Sequence, residues 1–216
     1  TDDSGAAVTG GYLLSIDKDA AAFTSSYPRL NAADKQIRFS NVYPKADKIT
    51  AAQNGYRKSF VYSFENALKS PGYQDAQTGV RKFADLSSFI DYFLINELSH
   101  NVDGYRLSTY LYKDKNSLGG KLTIGPVWDY DLSFRNADYC NGSNTDTWAW
   151  QFNNTCPGDY WQVPFWWSKL MTDTAFVGSL NCRYTDVRKN IFSTTAINSM
   201  IDSIQNLLSE AQVRHF

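Results

Sequence analysis

Two aspartates in the stretch GPVWDYDLSF are the first residues that indicate chemistry. Asp129 and Asp131 stand one residue apart behind an apolar run, and Leu132 and Phe134 follow them. Carboxylates among large apolar side chains cost free energy unless a partner neutralises them. In extended backbone, residues i and i+2 lie on one face, so we expect both carboxylates to face one edge while Tyr130 faces away.

A third aspartate should join this pair through a β-hairpin. Residues 106–114 alternate like a strand, NSLGG is typical of a turn, and residues 121–129 indicate a second strand. Because a hairpin places the start of one strand beside the end of the other, Asp103 should lie near Asp129 and Asp131. A hard cation relieves the repulsion among such carboxylates, and Mg²⁺ is the usual choice when a phosphate supplies further ligands.

The order of these residues along the chain matches that of a phosphoryl-transfer site. Asp103 and Ser108 lie five positions apart, and Asp129 follows the hairpin. Protein kinases place a catalytic aspartate and a metal-binding asparagine in this way, then a short hairpin, then the aspartate that binds Mg²⁺. Ser108 replaces the asparagine, and its hydroxyl is still an oxygen ligand. Taken singly, each aspartate has a purely structural alternative: Asp103 would cap a turn with Gly104, and Asp131 would cap the turn that follows it. The combined order of the residues favours a shared site.

A buried strand and two helices are predicted to precede the hairpin. GGYLLSID, residues 10–17, indicates a short buried strand. Residues 47–70 have helical periodicity, with Thr50 as a candidate cap. Residues 85–103 are the clearest helix, which should end near His100.

The remaining segments complete a mainly helical α+β fold with a small hairpin. Residues 18–48 are predicted to be polar and irregular, with a short strand at KQIRFSNVY. A long polar loop is expected over residues 135–160. Helical structure should resume after Pro164, and two or three helices should follow from Ala175 onward.

Composition excludes some partner classes. The net charge is −1, which leaves no electrostatic footprint for nucleic acid or an anionic membrane surface. No apolar run approaches the roughly 20 residues that a membrane span needs. We therefore expect no nucleic-acid partner and no membrane span in this segment.

The three cysteines leave two interpretations open. Cys140, Cys156 and Cys182 show no CxxC spacing, which argues against a zinc site. Cys140 and Cys156 bracket a polar loop, and a disulfide closing it would suit an exported protein. Three unpaired thiols are the other interpretation.

These motifs resemble the CotH kinase family, named for the bacterial spore coat protein H. The resemblance rests first on DLSSFIDYFLINELSHNVDGYRLSTYLYKDK followed by GPVWDYDLSF. Further blocks match in the expected order: TGGYLLSIDKD, YPKADKITAAQ and WWSKLMTDTAFVGSLNCRYTDVR. The resemblance covers nearly the whole chain. It implies an atypical protein-kinase-like fold, in which residues 1–216 are a single domain made of the hinge strand and the C-terminal lobe.

The resemblance also implies an activity and its residues. It implies an enzyme that uses ATP and a divalent metal, Mg²⁺ or Mn²⁺, to phosphorylate Ser or Thr hydroxyls of a protein substrate. Asp103 looks like the catalytic aspartate, Asp129 like the metal-binding aspartate, and Asp131 like its neighbour in the metal shell. Ser108 falls at the second metal position, where many relatives have asparagine. Asn101 either supports the catalytic loop or only caps a helix C-terminus.

One departure from the family limits what this chain should do alone. A nucleotide-binding N-terminal lobe with a phosphate-gripping lysine is expected before TGGYLLSID. The segment GAAVTGG does not replace it, because Gly11 stands where a phosphate loop needs lysine. We expect these residues alone to bind ATP weakly or not at all and to be inactive.

Two other functions use the same features. The first is a non-catalytic surface module that binds a protein or glycan, with Trp148 and Trp150 of the polar loop as the aromatic contacts. The second is metal-dependent hydrolysis at the same carboxylates.

Family resemblance and the candidate disulfide together imply export to the bacterial surface or the medium.

Overall fold

An antiparallel sheet forms around the first strand in the computed structural model, which describes residues 3–29 and 32–215. Over these residues the strands are β1 (Tyr12–Ile16), β2 (Phe23–Arg29), β3 (Ala32–Tyr43), β4 (Thr109–Lys113) and β5 (Leu122–Ile124). Their order across the sheet is β2-β3-β1-β4-β5, and each pair of neighbours is antiparallel. The central position of β1 confirms the prediction of a buried strand at GGYLLSID.

Helices account for most of the remaining regular structure. Over the described residues the α-helices are α1 (Ala51–Lys69), α2 (Leu86–Ser99), α3 (Phe152–Thr155), α4 (Phe165–Leu170), α5 (Thr174–Lys189) and α6 (Thr194–His215). The α+β class is thus confirmed.

Local capping explains where the two long predicted helices begin and end. Thr50 and Gln53 form a reciprocal capping box, which starts α1 at Ala51. Asp85 accepts a hydrogen bond from the backbone N–H of Ser87 at the start of α2. His100 takes a left-handed conformation (φ 47°) and ends α2, as expected from the sequence.

The short strand expected at KQIRFSNVY is confirmed as part of β3, but the prediction that the rest of residues 18–48 is irregular was wrong, because β2 also forms there. Phe23 and Phe39 face one another across the two strands, with ring centroids 5.0 Å apart. Buried serines, Ser25 and Ser40, interrupt the apolar alternation. The period-two pattern that identifies a strand is therefore hidden.

Aromatic side chains fill the core beside this sheet. Trp166 and Trp167 are each 1% exposed; Trp166 stacks on Phe39, and Trp167 meets Tyr105 edge-on at 4.5 Å. Trp148 is 55% exposed. Packing thus accounts for the first two tryptophans but not for Trp148.

Glu65 of α1 is a buried carboxylate inside this aromatic core. Its oxygens accept hydrogen bonds from Ser25 Oγ (2.6 Å), the Ser26 N–H (3.0 Å) and Trp166 Nε1 (3.1 Å). Burial raises the pKa of Glu65, and the hydrogen bonds oppose this only in part. Burial likewise raises the pKa of Glu97 on α2.

The raised pKa values of these two carboxyl groups predict how the stability of the fold depends on pH. Because their folded-state pKa values are raised, the folded chain binds more protons than the unfolded chain above the ordinary value of 4.5. The free energy of unfolding contributed by Glu65 and Glu97 should therefore fall as pH rises from about 4.5 through their folded-state pKa values. Urea unfolding at a series of pH values measures this, followed by tryptophan fluorescence.

The matched variants are Glu65→Gln and Glu97→Gln. Each should flatten the decline of unfolding free energy with pH relative to the wild type, whatever its effect on absolute stability. A wild-type slope that both variants reproduce would contradict the assignment.

Contacts group the chain into two compact units, Thr1–Phe176 and Val177–Phe216. The first holds the sheet and α1 to α4, and the second holds most of α5 and all of α6. The single domain over residues 1–216 stays a prediction. In the described part of the chain, no helix is both long and apolar enough to cross a membrane.

Candidate active site

The predicted hairpin forms, and its open end gathers the candidate residues. Strand β4 pairs with β5 in the register Leu111 to Ile124, and the Gly125 N–H donates to the Tyr110 carbonyl (2.8 Å). Both strands are shorter than predicted. The segment that carries Asp103 and the segment that carries Asp129 are therefore irregular connections at the same end of the hairpin.

The backbone at Asp129 differs from the prediction. Its φ is 59°, in the left-handed region that side-chain-bearing residues seldom adopt. The expectation that Asp129 and Asp131 share a face because the strand is extended was wrong. The two carboxyl groups are nevertheless close enough for a hydrogen bond between them, although the backbone at Asp129 is not an extended strand.

Electrostatics show that Asp129 is close to the other candidates. Desolvation is the largest cause that raises the pKa of Asp129; the charge of Asp131, a hydrogen bond with it and the charge of Asp103 raise it further. A hydrogen bond from Ser108 lowers it. Asp103, Ser108, Asp129 and Asp131 are thus neighbours although they are spread along the chain.

This donor set fits a hard cation that arrives with a phosphate. All the donors are oxygen atoms, and their like charges favour a positive ligand. Within residues 3–29 and 32–215, no three His, Cys, Asp or Glu side chains form a ready-made metal cage. Mg²⁺ commonly takes one or two carboxylates plus substrate phosphates rather than such a cage. Asp129 and Asp131 match that pattern.

Asp103 is fixed through one of its two carboxylate oxygens. Its Oδ1 accepts hydrogen bonds from Arg106 Nη2 (2.6 Å) and from the Tyr139 hydroxyl (2.7 Å). Its side chain is 17% exposed. The described hydrogen bonds of this carboxylate use Oδ1, so Oδ2 is the oxygen available to a ligand.

Arg106 is the buried centre of this arrangement. Its side chain is 1% exposed, lies over the Phe152 ring at 3.9 Å and pairs with Asp159 (3.3 Å) as well as Asp103. It also donates to the carbonyls of Val102 (2.9 Å) and Trp161 (3.2 Å). A guanidinium with this many partners has a defined orientation, and its hydrogen bond to Asp103 fixes the orientation of that carboxylate.

A disulfide holds two of these partners. Cys140 and Cys156 are bonded, with Cα atoms 5.6 Å apart, and Cys182 is free and exposed. The interpretation of three unpaired thiols was therefore wrong. Tyr139 directly precedes the first bonded cysteine and Asp159 follows the second, so the cross-link holds both near Arg106.

Asn101 bonds within the loop that carries Asp103. It is 2% exposed, and its Oδ1 accepts a hydrogen bond from the Asp103 N–H (3.2 Å). The left-handed residue that caps α2 is His100, one position earlier. The alternative interpretation of Asn101 as the C-cap was wrong.

Sequence reasoning missed four residues at this site. Arg106 is three positions beyond Asp103, a spacing that could have signalled an ion pair. Tyr139 and Asp159 could have been found only by accepting the disulfide first. Asp17 follows β1, and its Oδ2 lies 3.4 Å from Ser108 Oγ. The signal for it was the pairing of β1 with β4, which the sequence alone does not reveal.

Comparison with protein families decides the relationship. The family model described as CotH kinase protein matches residues 3–216. The chain belongs to the CotH kinase family. The match spans almost the whole chain, including every candidate residue named above, and confirms the resemblance drawn from the motifs. No curated protein and no solved structure matches this CotH family member.

Proposed function

We propose that this CotH family member forms the protein-kinase-like catalytic lobe of an enzyme that transfers phosphate from ATP to Ser or Thr hydroxyls of a protein. The observation that carries the proposal is that Asp131, Asp103 and Ser108 all act on Asp129. Desolvation is the largest cause that raises the pKa of Asp129, the charges of Asp131 and Asp103 raise it further, and the hydrogen bond from Ser108 lowers it. Family membership supports a kinase-like protein. The order of Asp103, Ser108 and Asp129 along the chain matches the protein-kinase arrangement.

Each side chain has a defined task in this reaction. Asp103, oriented by Arg106 and Tyr139 through Oδ1, accepts the acceptor hydroxyl proton at Oδ2. The hydroxyl oxygen then bonds to the γ-phosphorus as the bond to the β-phosphate oxygen breaks, and ADP leaves. Asp129 and Asp131, with Ser108, would hold Mg²⁺ or Mn²⁺. When bound, that cation supplies compensation of the phosphate charge.

The proposal also gives Asn101 a supporting role, the protein an exported location and the nucleotide a second binding lobe. Asn101 supports the Asp103 loop through the bond to its N–H. The Cys140–Cys156 disulfide supports export to the bacterial surface or the medium, where such bonds persist. The N-terminal lobe that grips the nucleotide is proposed to complete the ATP site in the full-length protein.

Phosphate transfer by the full-length protein tests the proposal. The protein is incubated with radiolabelled ATP, Mg²⁺ or Mn²⁺ and a dephosphorylated protein mixture from the source cells, and phosphoserine and phosphothreonine are measured. Wild type should label Ser or Thr, and Asp103→Asn should reduce labelling to background because it removes the proton acceptor. Asp47→Asn, an exposed aspartate before α1, is the matched control and should keep wild-type labelling. Equal labelling by the two variants would contradict the mechanism.

The non-catalytic alternative keeps one supporting observation. The exposed Trp148 lines a cleft of about 280 Å³ together with His100, Asp146 and Thr147. A thermal-shift measurement on the full-length protein separates the two functions. A rise in melting temperature with millimolar ATP and Mg²⁺ supports the kinase, and no change supports a surface binding module.

A further inference from the structure

Asp17 enters the candidate site from a different part of the chain. It is the first residue after β1, whose last residue, Ile16, pairs with Thr109 at the start of β4. Antiparallel pairing therefore places Asp17 beside Ser108. The Ser108 hydroxyl donates a hydrogen bond of 3.4 Å to Asp17 Oδ2.

Ser108 is held in an unusual conformation between two carboxylates. Its φ is 45°, in the left-handed region. Its hydroxyl contacts Asp17 and also lies close enough to Asp129 to lower the pKa of that carboxyl. A hydroxyl has one proton and two lone pairs, so it can donate to only one of the two carboxylates at a time.

The geometry points to Asp17 as a positioning residue that accepts a hydrogen bond from the Ser108 hydroxyl. The lone pairs of Ser108 Oγ then face Asp129 and a cation bound between Ser108 and Asp129. This inference rests on the proposed metal-dependent function. A serine oxygen can ligate a cation beside Asp129 only if its proton is directed elsewhere, and Asp17 is the described acceptor on the other side. Ser108 thereby serves where kinases use asparagine, which presents its oxygen without needing a proton acceptor.

A hydrogen bond orients the Asp17 carboxylate, and its charge acts on Tyr110 of β4. Its Oδ1 accepts the Lys18 N–H at 2.7 Å, which leaves Oδ2 directed at Ser108. Tyr110, on β4, has a raised pKa for which burial is the largest cause, followed by the charges of Asp17, Asp19 and Asp129. Asp17 and Asp129 therefore lie on the same end of this strand.

Asp19 provides a matched control within the same loop. It carries the same charge and also acts on Tyr110, but it has no hydrogen bond to Ser108 among the described contacts. Asp17→Asn and Asp19→Asn remove equal charge. Only the first changes the group that faces Ser108: a carboxylate can only accept from the hydroxyl, whereas an asparagine amide N–H can donate to the Ser108 oxygen and occupy its lone pair.

Binding of Mn²⁺ provides a readout besides activity. Electron paramagnetic resonance measures free Mn²⁺ during titration of the full-length protein with a non-hydrolysable ATP analogue present. Asp17→Asn should weaken Mn²⁺ binding about tenfold, the scale typical of residues that orient metal ligands. Ser108→Ala should weaken it similarly, the double variant should be no weaker than either single variant, and Asp19→Asn should match wild type.

The outcomes separate this inference from the proposed function. If wild type binds Mn²⁺ and Asp17→Asn behaves like Asp19→Asn, the role of Asp17 is overturned and the kinase proposal stands. If wild type binds no Mn²⁺ with the nucleotide analogue, both are overturned. Unfolding midpoints of the same variants give an independent check. Asp17→Asn should lower the midpoint in wild type but not in Ser108→Ala, and equal shifts in both backgrounds would overturn the hydrogen bond itself.

Discussion

Replacing Asp129 with asparagine should lower phosphate transfer on the order of a thousandfold, the scale of losing a main stabiliser of transition-state charge. Asp129 is the residue on which Asp131, Asp103 and Ser108 converge. Without its negative charge, the cation that compensates the phosphate charge loses its principal carboxylate ligand. The rate measured with saturating ATP and Mg²⁺ in the full-length protein tests this.

The same substitution should leave stability intact, which separates loss of chemistry from loss of fold. Asp129 is exposed; desolvation is the largest cause that raises its pKa, and the like charges of Asp131 and Asp103 raise it further. Removing its charge relieves that repulsion, so the unfolding midpoint of Asp129→Asn should equal or exceed that of wild type. Asp47→Asn is the control for rate. Retained transfer in Asp129→Asn would contradict the cation-binding role of Asp129, and a lower unfolding midpoint would show that it has a structural role.

Replacing Arg106 with methionine should destabilise the fold by about 3 kcal/mol, the lower part of the range for breaking a buried ion pair from one side. Arg106 is 1% exposed, whereas its partners Asp103 and Asp159 are 17% and 23% exposed. Water reaches both carboxylates in part, which is why the lower part of the range applies. Methionine would also leave the Val102 and Trp161 carbonyls without this donor.

Urea unfolding measures this loss, and an exposed pair supplies the comparison. Arg214 pairs with Glu210 at 3.5 Å on α6, with side chains 70% and 89% exposed. Arg214→Met should cost less than about 1 kcal/mol, as expected of surface ion pairs. Similar losses in the two variants would mean that burial does not strengthen the Arg106 network. Arg106→Lys should recover only part of the stability, because an ammonium cannot reproduce the forked contacts of a guanidinium.

Features that depend on near neighbours in the chain were predictable. Helix α1 begins where Thr50 and Gln53 cap each other, and α2 begins after Asp85. These signals lie within a few residues of the helix start, so local sequence contains them. The hairpin was also predictable, because its strands are joined by a turn segment rich in Gly and Asn.

Features that depend on distant partners were not predictable. The buried serines that hide the strand pattern of β2 and β3 include Ser25, which is satisfied by Glu65, 40 positions later on α1. A hydrogen-bond partner of Asp103 is also distant in sequence: Tyr139 is 36 positions further along the chain. Asp17 meets Ser108 across 91 positions, and only the pairing of β1 with β4 brings them together.

By itself the sequence determined the α+β class, the helices α1 and α2 and the CotH relationship, and it singled out Asp103, Ser108, Asp129 and Asp131 as candidate site residues. Type, order and spacing along the chain are enough for these. Only the tertiary structure decided the left-handed backbone at Asp129, the disulfide, and the contacts of Arg106 and Asp17. These arise because backbone pairing and burial bring charges together that are distant in sequence, and the cost of burying a charge then selects which groups must meet.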